Sequence, residues 1–298
     1  MPRPDWRALY PFGSHFCTTA EGHRIHYVDE GQGVPTVMLH GNPTWSFMYR
    51  DLIRSVASAG LRAIAVDNLG MGLSDKPQGW PYRLQGHIDN LARLIDDELR
   101  LPEVDLVMHD WGGAIGMGYA TAHPEKVRRL VLMNTAAYRA ESYPRKVALA
   151  KAPFLGAFLV RGLNLFVEGA LRLAVARPLP PAVKAGYRAP YDSWRNRIGT
   201  QRYVQDLPMT PKHPTWPTLV GIEKRLPLLA DKPILLCWGE RDFCFPMKFF
   251  RRWREIYPQA RAVSLPEASH YLLEDAPEKV IPLLTDFLTK AAEDGHAL

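Results

Sequence analysis

The sequence predicts an α/β protein built on a mostly parallel central sheet flanked by helices. Two observations carry this prediction: short apolar segments alternate with helical segments, and the apolar segments are apolar throughout rather than at every second residue. Continuous apolar strands are typical of a sheet covered on both faces, and strand–helix alternation is typical of parallel strands joined by right-handed crossovers. Ligands of such sheets bind beyond the carboxyl ends of the strands.

Six strands are predicted, and the first five end at polar residues or glycine. The strands cover residues 36–39, 62–66, 104–108, 130–133, 233–238 and 260–265. Helices are predicted at residues 45–58, 85–100, 112–123, 248–257 and 277–291. The polar residues that follow the strands should therefore meet at one edge of the sheet.

One long segment, about residues 138–215, contains no predicted strand and is rich in Leu, Ala, Phe, Arg and Pro. We interpret it as a helical insertion between two strands. Its apolar side chains could cover an apolar ligand or only pack on the core: Phe154, Leu155, Phe158, Leu159, Leu163, Leu165, Phe166 and Leu171. Its basic side chains could dock on a partner or an anionic surface, although a solvated face is the simpler interpretation: Arg139, Arg145, Lys146, Lys151, Arg161, Arg172 and Arg177.

Composition excludes several classes of protein. The 298 residues are 47% apolar and 23% charged, ordinary values for a globular chain. The 37 basic residues exceed the 31 acidic ones by six, but no basic run is dense enough to follow a phosphate backbone, so no nucleic-acid partner is predicted. The sequence also lacks a glycine-rich phosphate loop and a dinucleotide fingerprint, and we predict no cofactor.

The cysteines and the apolar runs indicate the compartment. Cys17, Cys237 and Cys244 are scattered and odd in number, so they give neither a disulfide framework nor a metal-binding spacing. The longest apolar run, residues 152–160, is too short to span a bilayer, and the first residues lack the apolar region of a signal peptide. We predict no metal, no transmembrane segment and a cytoplasmic location.

The sharpest local signal is the stretch His109-Asp110-Trp111-Gly112-Gly113, which directly follows a predicted strand. A strand, one polar residue and a glycine-opened helix form the pattern of a nucleophile elbow, here with Asp110 in place of the usual serine. A carboxylate can displace a leaving group from a tetrahedral carbon and form an ester with the substrate. Alone, Asp110 could equally be a helix N-cap.

Polar residues that follow other predicted strands favour a catalytic role for Asp110. Asn42 follows one strand at the place of an oxyanion-hole loop, and the backbone N–H groups of Asn42 and Trp111 would form the hole. Asp242 follows a later strand and His270 the next one. The order nucleophile, acid, histidine is the one expected for an elbow-bearing fold, with His270 activating water and Asp242 orienting His270.

Other histidines are given structural roles. His23 and His26 lie on an early strand, where solvation at the sheet edge explains them, and His109 is expected to be buried and hydrogen-bonded.

Over nearly its full length the chain resembles the α/β-hydrolase superfamily, and more narrowly the haloalkane-dehalogenase-like group. The matching stretches are His40-Gly41-Asn42-Pro43-Thr44-Trp45, Leu69-Gly70-Met71-Gly72-Leu73-Ser74-Asp75-Lys76-Pro77, His109-Asp110-Trp111-Gly112-Gly113 and the regions around Asp242 and His270. The resemblance implies an α/β-hydrolase core of residues 1–137 and 214–298 and a helical cap domain of residues 138–213. It also implies that the side chains of Asn42 and Trp111 donate hydrogen bonds to a leaving halide or equivalent anion.

Within that group, some members place the catalytic acid where this chain has Asn134, which cannot act as a carboxylate, so the acid is expected at Asp242. Asn42 together with Asp242 resembles the third dehalogenase subfamily, which includes the β-lactone decarboxylases of bacterial long-chain olefin biosynthesis. Residues 8–12, 189–194 and 204–208 also resemble those enzymes. This resemblance implies a lyase that converts a cis-2,3-dialkyl β-lactone to a cis-alkene and carbon dioxide, an apolar long-chain substrate, and assembly with other olefin-pathway enzymes.

Three alternatives stay open. A haloalkane dehalogenase would use the same residues, with His270 activating water against an alkyl-enzyme ester. An epoxide hydrolase would need proton-donating tyrosines on the insertion, and candidates by composition are Tyr138, Tyr143, Tyr187, Tyr191 and Tyr203. A non-enzymatic interaction protein on the same scaffold is disfavoured by the intact Asp110, Asp242 and His270.

Overall fold

The computed structural model describes residues 5–140, 151–152 and 154–290. Its centre is an eight-stranded sheet of order β1-β2-β4-β3-β5-β6-β7-β8. The strands are β1 (His15–Thr18), β2 (Arg24–Glu30), β3 (Pro35–Leu39), β4 (Arg62–Val66), β5 (Val104–Asp110), β6 (Val127–Thr135), β7 (Ile234–Gly239) and β8 (Arg261–Leu265). Strands β3 to β8 are mutually parallel, whereas β1 and β2 form an antiparallel edge. The predicted fold class is confirmed.

Helices cover the sheet and fill the long connection between β6 and β7. The first three are α1 (Arg50–Ser58), α2 (Leu84–Ala92, continued by a π-helical segment Arg93–Glu98) and α3 (Trp111–Ala122). The described helices between β6 and β7 are Leu155–Ala157 with the π-helical segment Phe158–Gly162, Leu165–Leu173, Pro181–Arg188, Ile198–Gln205 and Trp216–Arg225. The later helices are Met247–Ile256, Leu272–Asp275 and Pro277–Thr289. Short 3-10 turns occupy Arg7–Leu9, Ser46–Tyr49, Pro124–Lys126, Ala189–Tyr191, Arg195–Arg197 and Leu226–Leu229.

All six predicted strands are present, with ends displaced by at most three residues. The prediction that every strand is covered on both faces is wrong for β8, where Arg261 and Ala262 are exposed and only Leu265 is fully buried. Strand β8 lies at the edge of the sheet and pairs only with β7, so solvent reaches it. The end of the last predicted helix, residue 291, lies outside the described residues.

The prediction for His26 is also wrong, because this side chain is completely buried. Its Nδ1 lies 2.9 Å from Asp67 Oδ2 and its Nε2 lies 3.0 Å from Ser14 Oγ. Strand β1 pairs on the outer side of β2, so β2 is an inner strand and His26 needs a protein partner in place of water. His109 is buried, as predicted, and its Nε2 lies 2.9 Å from the carbonyl oxygen of His270.

A buried ion pair attaches the inserted helices to the sheet domain. Arg50 on α1 forms two hydrogen bonds with Glu274, of 2.6 and 2.8 Å, and both side chains are more than nine-tenths buried. Tyr187, on the inserted helix Pro181–Arg188, donates its hydroxyl to Glu274 Oε1 at 2.6 Å. Because the pair is desolvated, its hydrogen bonds are needed to keep either charge in the interior.

A second attachment uses Asp206, which follows the helix Ile198–Gln205. Its carboxylate accepts hydrogen bonds from Arg83, from the backbone N–H of Leu84 and from the hydroxyl of Thr215. These contacts hold the last inserted helices against the start of α2.

None of the helices in the described ranges has the length and apolar composition needed to cross a bilayer.

Candidate active site

The five residues singled out in the sequence lie together at the carboxyl ends of the central parallel strands. Asp110 ends β5 and Trp111 begins α3. Asn42 follows β3, Asp242 follows β7 and His270 lies beyond β8. Adjacent parallel strands therefore bring together residues that are up to 228 positions apart in the chain.

Asp110 sits on a strained turn between β5 and α3. Its backbone has φ 51° and ψ −123°, a region that residues with a side chain seldom adopt. Two glycines make room for this turn: a Cβ on Gly112 would lie 2.0 Å from the carbonyl oxygen of Leu39, and one on Gly41 would lie 2.0 Å from Asp110 Oδ1. The elbow predicted from the sequence pattern is thus present in the backbone, with the carboxylate held at its apex.

Backbone N–H groups stabilise the Asp110 carboxylate. The N–H of Asn42 donates to Oδ1 at 2.7 Å, and the backbone N–H of Trp111 also favours the charged form. Burial raises the pKa of Asp110, while His270 and these two N–H groups act in the opposite direction. The two donors occupy the place expected of an oxyanion hole, and here they fix the carboxylate itself.

His270 connects the two carboxylates. Its Nδ1 lies 2.8 Å from Asp242 Oδ2, and its Nε2 lies 3.8 Å from Asp110 Oδ2. Burial disfavours the charged imidazolium, but the hydrogen bond and charge of Asp242 and the charge of Asp110 outweigh it and raise the pKa of His270. Phe245 stacks on the imidazole with ring centroids 5.8 Å apart, and His109 lies on it at 4.5 Å. The ring is thereby fixed between Asp242 and Asp110.

The surroundings of Asp242 include contacts that the sequence reasoning did not anticipate. Asn134, at the end of β6, donates its amide to Asp242 Oδ2 at 2.8 Å and to the carbonyl oxygen of Gly239 at 3.1 Å. The backbone N–H of Cys244 donates to Asp242 Oδ1 at 2.6 Å. The only sign of the Asn134 contact in the sequence is that Asn134 is the polar residue directly after the predicted strand of residues 130–133. Its side chain holds Asp242 in place.

The side chain of Asn42 also makes an unanticipated contact. Its Nδ2 donates to the carbonyl oxygen of Thr200, on an inserted helix, at 3.0 Å, while its Oδ1 is buried without a hydrogen-bond partner. An amide nitrogen carries two hydrogens, so one N–H of Asn42 is committed and the second can serve a ligand. The indole of Trp111 packs edge-on against Tyr203, whose hydroxyl lies 3.0 Å from His87 Nδ1. Both side chains are therefore oriented by residues of the insertion.

An apolar cavity of about 120 Å³ opens in front of Asp110. Asn42, Asp110, Trp111 and Cys244 contribute its polar atoms. Its remaining lining comes from Leu84, Ala114, Ala136, Tyr138, Ala140, Phe166, Val204, Leu207, Pro208, Leu219, Phe245 and Phe249. An apolar chamber with a few convergent polar groups is typical of a small-molecule site, and here it places a buried carboxylate against an apolar ligand.

Four of the five tyrosines considered as proton donors to an epoxide have hydroxyls that are hydrogen-bonded within the protein, and three of them, Tyr138, Tyr187 and Tyr191, act as donors. Tyr138 donates to the Phe249 carbonyl and Tyr187 to Glu274. Tyr191 donates to the Thr44 carbonyl, and Tyr203 is paired with His87. The fifth, Tyr143, lies outside the described residues, as do Arg145 and Lys146.

Metal-ligand atoms converge at one place in the described part of the chain. Donor atoms of Asp242, Cys244 and His270 all lie within 4.8 Å of one another. His270 Nδ1 and Asp242 are already hydrogen-bonded to each other. The absence of a metal and of a cofactor stays a prediction from the sequence.

Comparisons with known proteins agree with this geometry. The family described as the alpha/beta hydrolase fold matches residues 35–277. A cis-3-alkyl-4-alkyloxetan-2-one decarboxylase of Shewanella oneidensis is 41% identical, over 95% of this chain and 90% of that protein. An enzyme of the same name from Xanthomonas campestris is 39% identical, over 94% and 97%.

Haloalkane dehalogenases are also similar. Haloalkane dehalogenase 2 of Mycobacterium bovis is 35% identical, over 91% of this chain and 93% of that protein. The crystal structure of the haloalkane dehalogenase DbeA from Bradyrhizobium elkani superposes with a TM-score of 0.84 at 26% identity, covering 93% of this chain and 97% of that one.

Proposed function

The chain belongs to the α/β-hydrolase fold family, and we propose that it is a β-lactone decarboxylase that uses Asp110 as its nucleophile. Oxetan-2-one is the four-membered β-lactone ring, so the two decarboxylase relatives, 41% and 39% identical, act on dialkyl β-lactones. Their similarity over more than nine-tenths of this chain is the observation that carries the choice of reaction. The haloalkane dehalogenase relative is less similar, at 35%.

In this proposal Asp110 Oδ2 is the attacking atom. Oδ1 accepts the N–H of Asn42, whereas Oδ2 lies 3.8 Å from His270 Nε2, and Asp110 lines the cavity. Oδ2 attacks the tetrahedral, alkyl-bearing ring carbon that is bonded to the ring oxygen. The bond between that carbon and the ring oxygen breaks, and its electron pair stays on the oxygen, which becomes part of the substrate carboxylate. The product of this step is an ester of Asp110 with a β-carboxylate on its alkyl half.

The second step releases the products. The bond between the carboxylate and the alkyl chain breaks, carbon dioxide departs, and the electron pair forms the carbon–carbon double bond. The ester carbon–oxygen bond breaks at the same time and Asp110 returns as a carboxylate. Together the two reaction steps consume no water and transfer no net proton.

The remaining site residues are assigned to charge and position. His270, oriented by Asp242, stabilises the negative charge on Asp110 as the carboxylate departs. The second N–H of Asn42 and the indole N–H of Trp111 donate to the carboxylate released from the lactone. The raised pKa of His270 favours the imidazolium, which suits charge stabilisation better than removal of a proton from water.

The substrate and its delivery follow from the same proposal. The apolar lining suits alkyl chains, and residues 138–213 would form a cap domain over the core of residues 1–137 and 214–298. A water-insoluble lactone is best transferred directly from the enzyme that makes it, so we expect assembly with other enzymes of long-chain olefin formation. None of the three cysteines, all of them within the described residues, forms a disulfide, which favours a reducing, cytoplasmic location.

Haloalkane dehalogenation is the second candidate. Neutral N–H donors beside a carboxylate nucleophile also suit a leaving halide, and His270 in its neutral form could activate water against the alkyl ester. An epoxide hydrolase is disfavoured because the hydroxyls of Tyr138, Tyr187 and Tyr191 already donate to protein acceptors.

The test offers purified protein a cis-3,4-dialkyl oxetan-2-one and, separately, a 1-bromoalkane of similar length. Alkene is measured by gas chromatography and mass spectrometry, and bromide by ion chromatography, with Asp110→Ala as the control for uncatalysed decay. Alkene formation that requires Asp110 supports the proposal. Rapid bromide release without lactone turnover would instead assign the protein to the dehalogenases.

A further inference from the structure

The net charge of the chain is concentrated in one part of the insertion. Residues 151–200 contain two acidic side chains, Glu168 and Asp192, against eight basic ones. The basic residues are Lys151, Arg161, Arg172, Arg177, Lys184, Arg188, Arg195 and Arg197. This excess of six equals the excess of 37 basic over 31 acidic residues in the whole chain, so the rest of the protein sums to zero.

The same residues carry most of the exposed large apolar side chains. The described residues contain twelve such side chains, and seven of them lie between positions 151 and 200. We call these seven the apolar patch: Phe154, Leu155, Phe158, Leu163, Leu165, Leu173 and Trp194. Phe154 is 92% exposed, whereas a side chain that served only the core would be covered.

Several members of the apolar patch are neighbours on one surface. The N–H of Phe158 donates to the carbonyl of Phe154 at 2.9 Å, so these two side chains are one helical turn apart. A Cβ on Gly162 would lie 3.3 Å from the Phe158 ring and 3.7 Å from the Trp194 ring, which places both rings beside the same backbone. The Arg161 guanidinium lies 4.5 Å from the centroid of Trp194. Aromatic and cationic groups are therefore intermixed.

The inner side of the same segment faces the active site. Val160 packs against Val204, with Phe166 packed beside them, and Phe166 and Val204 line the cavity that contains Asp110. The segment from Phe154 to Leu173 thus carries six residues of the apolar patch and also contributes Phe166 to the cavity that contains Asp110.

We propose that the apolar patch docks on an anionic lipid surface. Phe, Leu and Trp side chains interleaved with Lys and Arg on short helices are typical of segments that lie in the headgroup region of a bilayer. Each basic side chain near an anionic leaflet adds to the attraction. A second copy of this chain offers no acidic excess to match the patch, because the remainder of the chain is neutral in sum.

The inference that the apolar patch docks on a membrane is drawn from the surface alone. The purpose we assign to docking, exchange of apolar substrate and product with the bilayer, rests on the proposed function. The docking test therefore uses no substrate. Sedimentation with vesicles of phosphatidylcholine, with and without phosphatidylglycerol, measures the partition coefficient at low and high salt. A failed docking test leaves the chemistry of Asp110 untouched, and absence of lactone turnover leaves vesicle binding untouched.

Two variants and two matched controls make the test specific. Phe154→Ser/Phe158→Ser removes apolar area, and its control, Leu228→Ser, removes a side chain about as exposed as Phe158 from a turn outside residues 151–200. Arg172→Glu/Arg195→Glu reverses exposed charges, and its control is Arg254→Glu on the helix Met247–Ile256. Thermal unfolding confirms that each variant is folded.

We expect binding to anionic vesicles that weakens in high salt. Each double variant should lower the partition coefficient by at least about tenfold, and each single control by less than about threefold. Absence of binding to anionic vesicles overturns the proposal and leaves the apolar patch to a protein partner. Binding that the controls weaken as much as the double variants overturns it as well.

Discussion

The side-chain amide of Asn134 donates a hydrogen bond of 2.8 Å to Asp242 Oδ2, the oxygen that also accepts His270 Nδ1. Asn134 is the second-to-last residue of β6 and Asp242 follows β7, so neighbouring strands place the amide against the carboxylate that accepts the imidazole. The end of β6 is where other members of the group are expected to carry the acid. The two positions at which such an acid is expected, 134 and 242, are therefore in direct contact in this structure.

We predict that the acid can be moved from one strand end to the other. Asp242→Asn should lower turnover by about a thousandfold or more, because the imidazole loses its orienting carboxylate. Asn134→Asp/Asp242→Asn restores a carboxylate beside the same ring and should recover at least about tenfold of that loss. Steady-state rates of alkene formation measure both effects.

The single variant Asn134→Asp is the control for this exchange. It places two carboxylates in contact, which raises the pKa of one of them and should lower both activity and stability. A double variant no more active than Asp242→Asn would show that only the end of β7 can supply the acid.

The nucleophile can be removed without loss of the fold. Asp110→Asn and Asp110→Ala should each lower turnover by at least about ten thousandfold. The thermal midpoint should stay level or rise, because a charge is removed from a buried, strained position. Circular dichroism checks the fold and product analysis checks the rate. Turnover by Asp110→Ala close to the unaltered level would exclude covalent catalysis at this residue.

Removing the side chain of Glu274 should lower the free energy of unfolding more than removing the hydroxyl of Tyr187, which links an inserted helix to Glu274. Glu274→Ala removes both short hydrogen bonds of the buried Arg50 to a carboxylate and leaves, among the described residues, only Asp51, at 3.5 Å, as its charge partner, so it should lower the free energy of unfolding by about 3–5 kcal/mol. Tyr187→Phe removes one hydrogen bond to Glu274 and should cost about 1 kcal/mol. Urea unfolding measures both. Equal costs for the two variants would show that the ion pair contributes nothing beyond the tyrosine contact.

The stability of the protein should depend on pH through Asp105, on β5 at the opposite end from Asp110. Burial raises the pKa of Asp105 to about 6, although Arg128 and Arg129 lie within 3.8 Å. The folded state therefore holds a proton that the unfolded state releases near pH 4, so stability falls as pH rises from about 4 to about 6. This loss should be on the order of 2 kcal/mol.

Asp105→Asn cannot ionise and should remove that loss. Unfolding in urea at several pH values gives the difference in stability between the variant and the unaltered protein. Any cost of leaving Arg129 without its carboxylate is the same at each pH, so the pH-dependent part reports Asp105 alone. A difference that stays constant between pH 4 and pH 6.5 would assign the titration elsewhere.

The sequence predicted the parts of the structure that follow from periodicity and chain order. The six strands and the position of Asp110 between β5 and α3 were read from apolar runs and glycines, since parallel strands place their carboxyl ends together whatever lies between them. The gathering of Asp110, Asp242 and His270 follows from that rule. Their roles remain proposals.

Contacts between distant side chains could not be predicted in this way. The bond from Asn42 to the Thr200 carbonyl depends on how the insertion packs, and the pairing of His26 with Asp67 depends on β1 adding an outer strand. Neither leaves a periodic signal, because each depends on two segments whose approach is fixed by the whole core. The burial of Arg50 with Glu274 is of the same kind.

The route by which the Asp110 ester breaks down tests the central claim most directly. Turnover of the β-lactone is carried out in oxygen-18-labelled water, and the peptide containing Asp110 is then analysed by mass spectrometry. Decarboxylative elimination breaks the bond between the alkyl carbon and the ester oxygen, so our account predicts alkene and no label in Asp110. Hydrolysis would bring water to the Asp110 carbonyl carbon, and label in Asp110 with a hydroxy acid as product would contradict it.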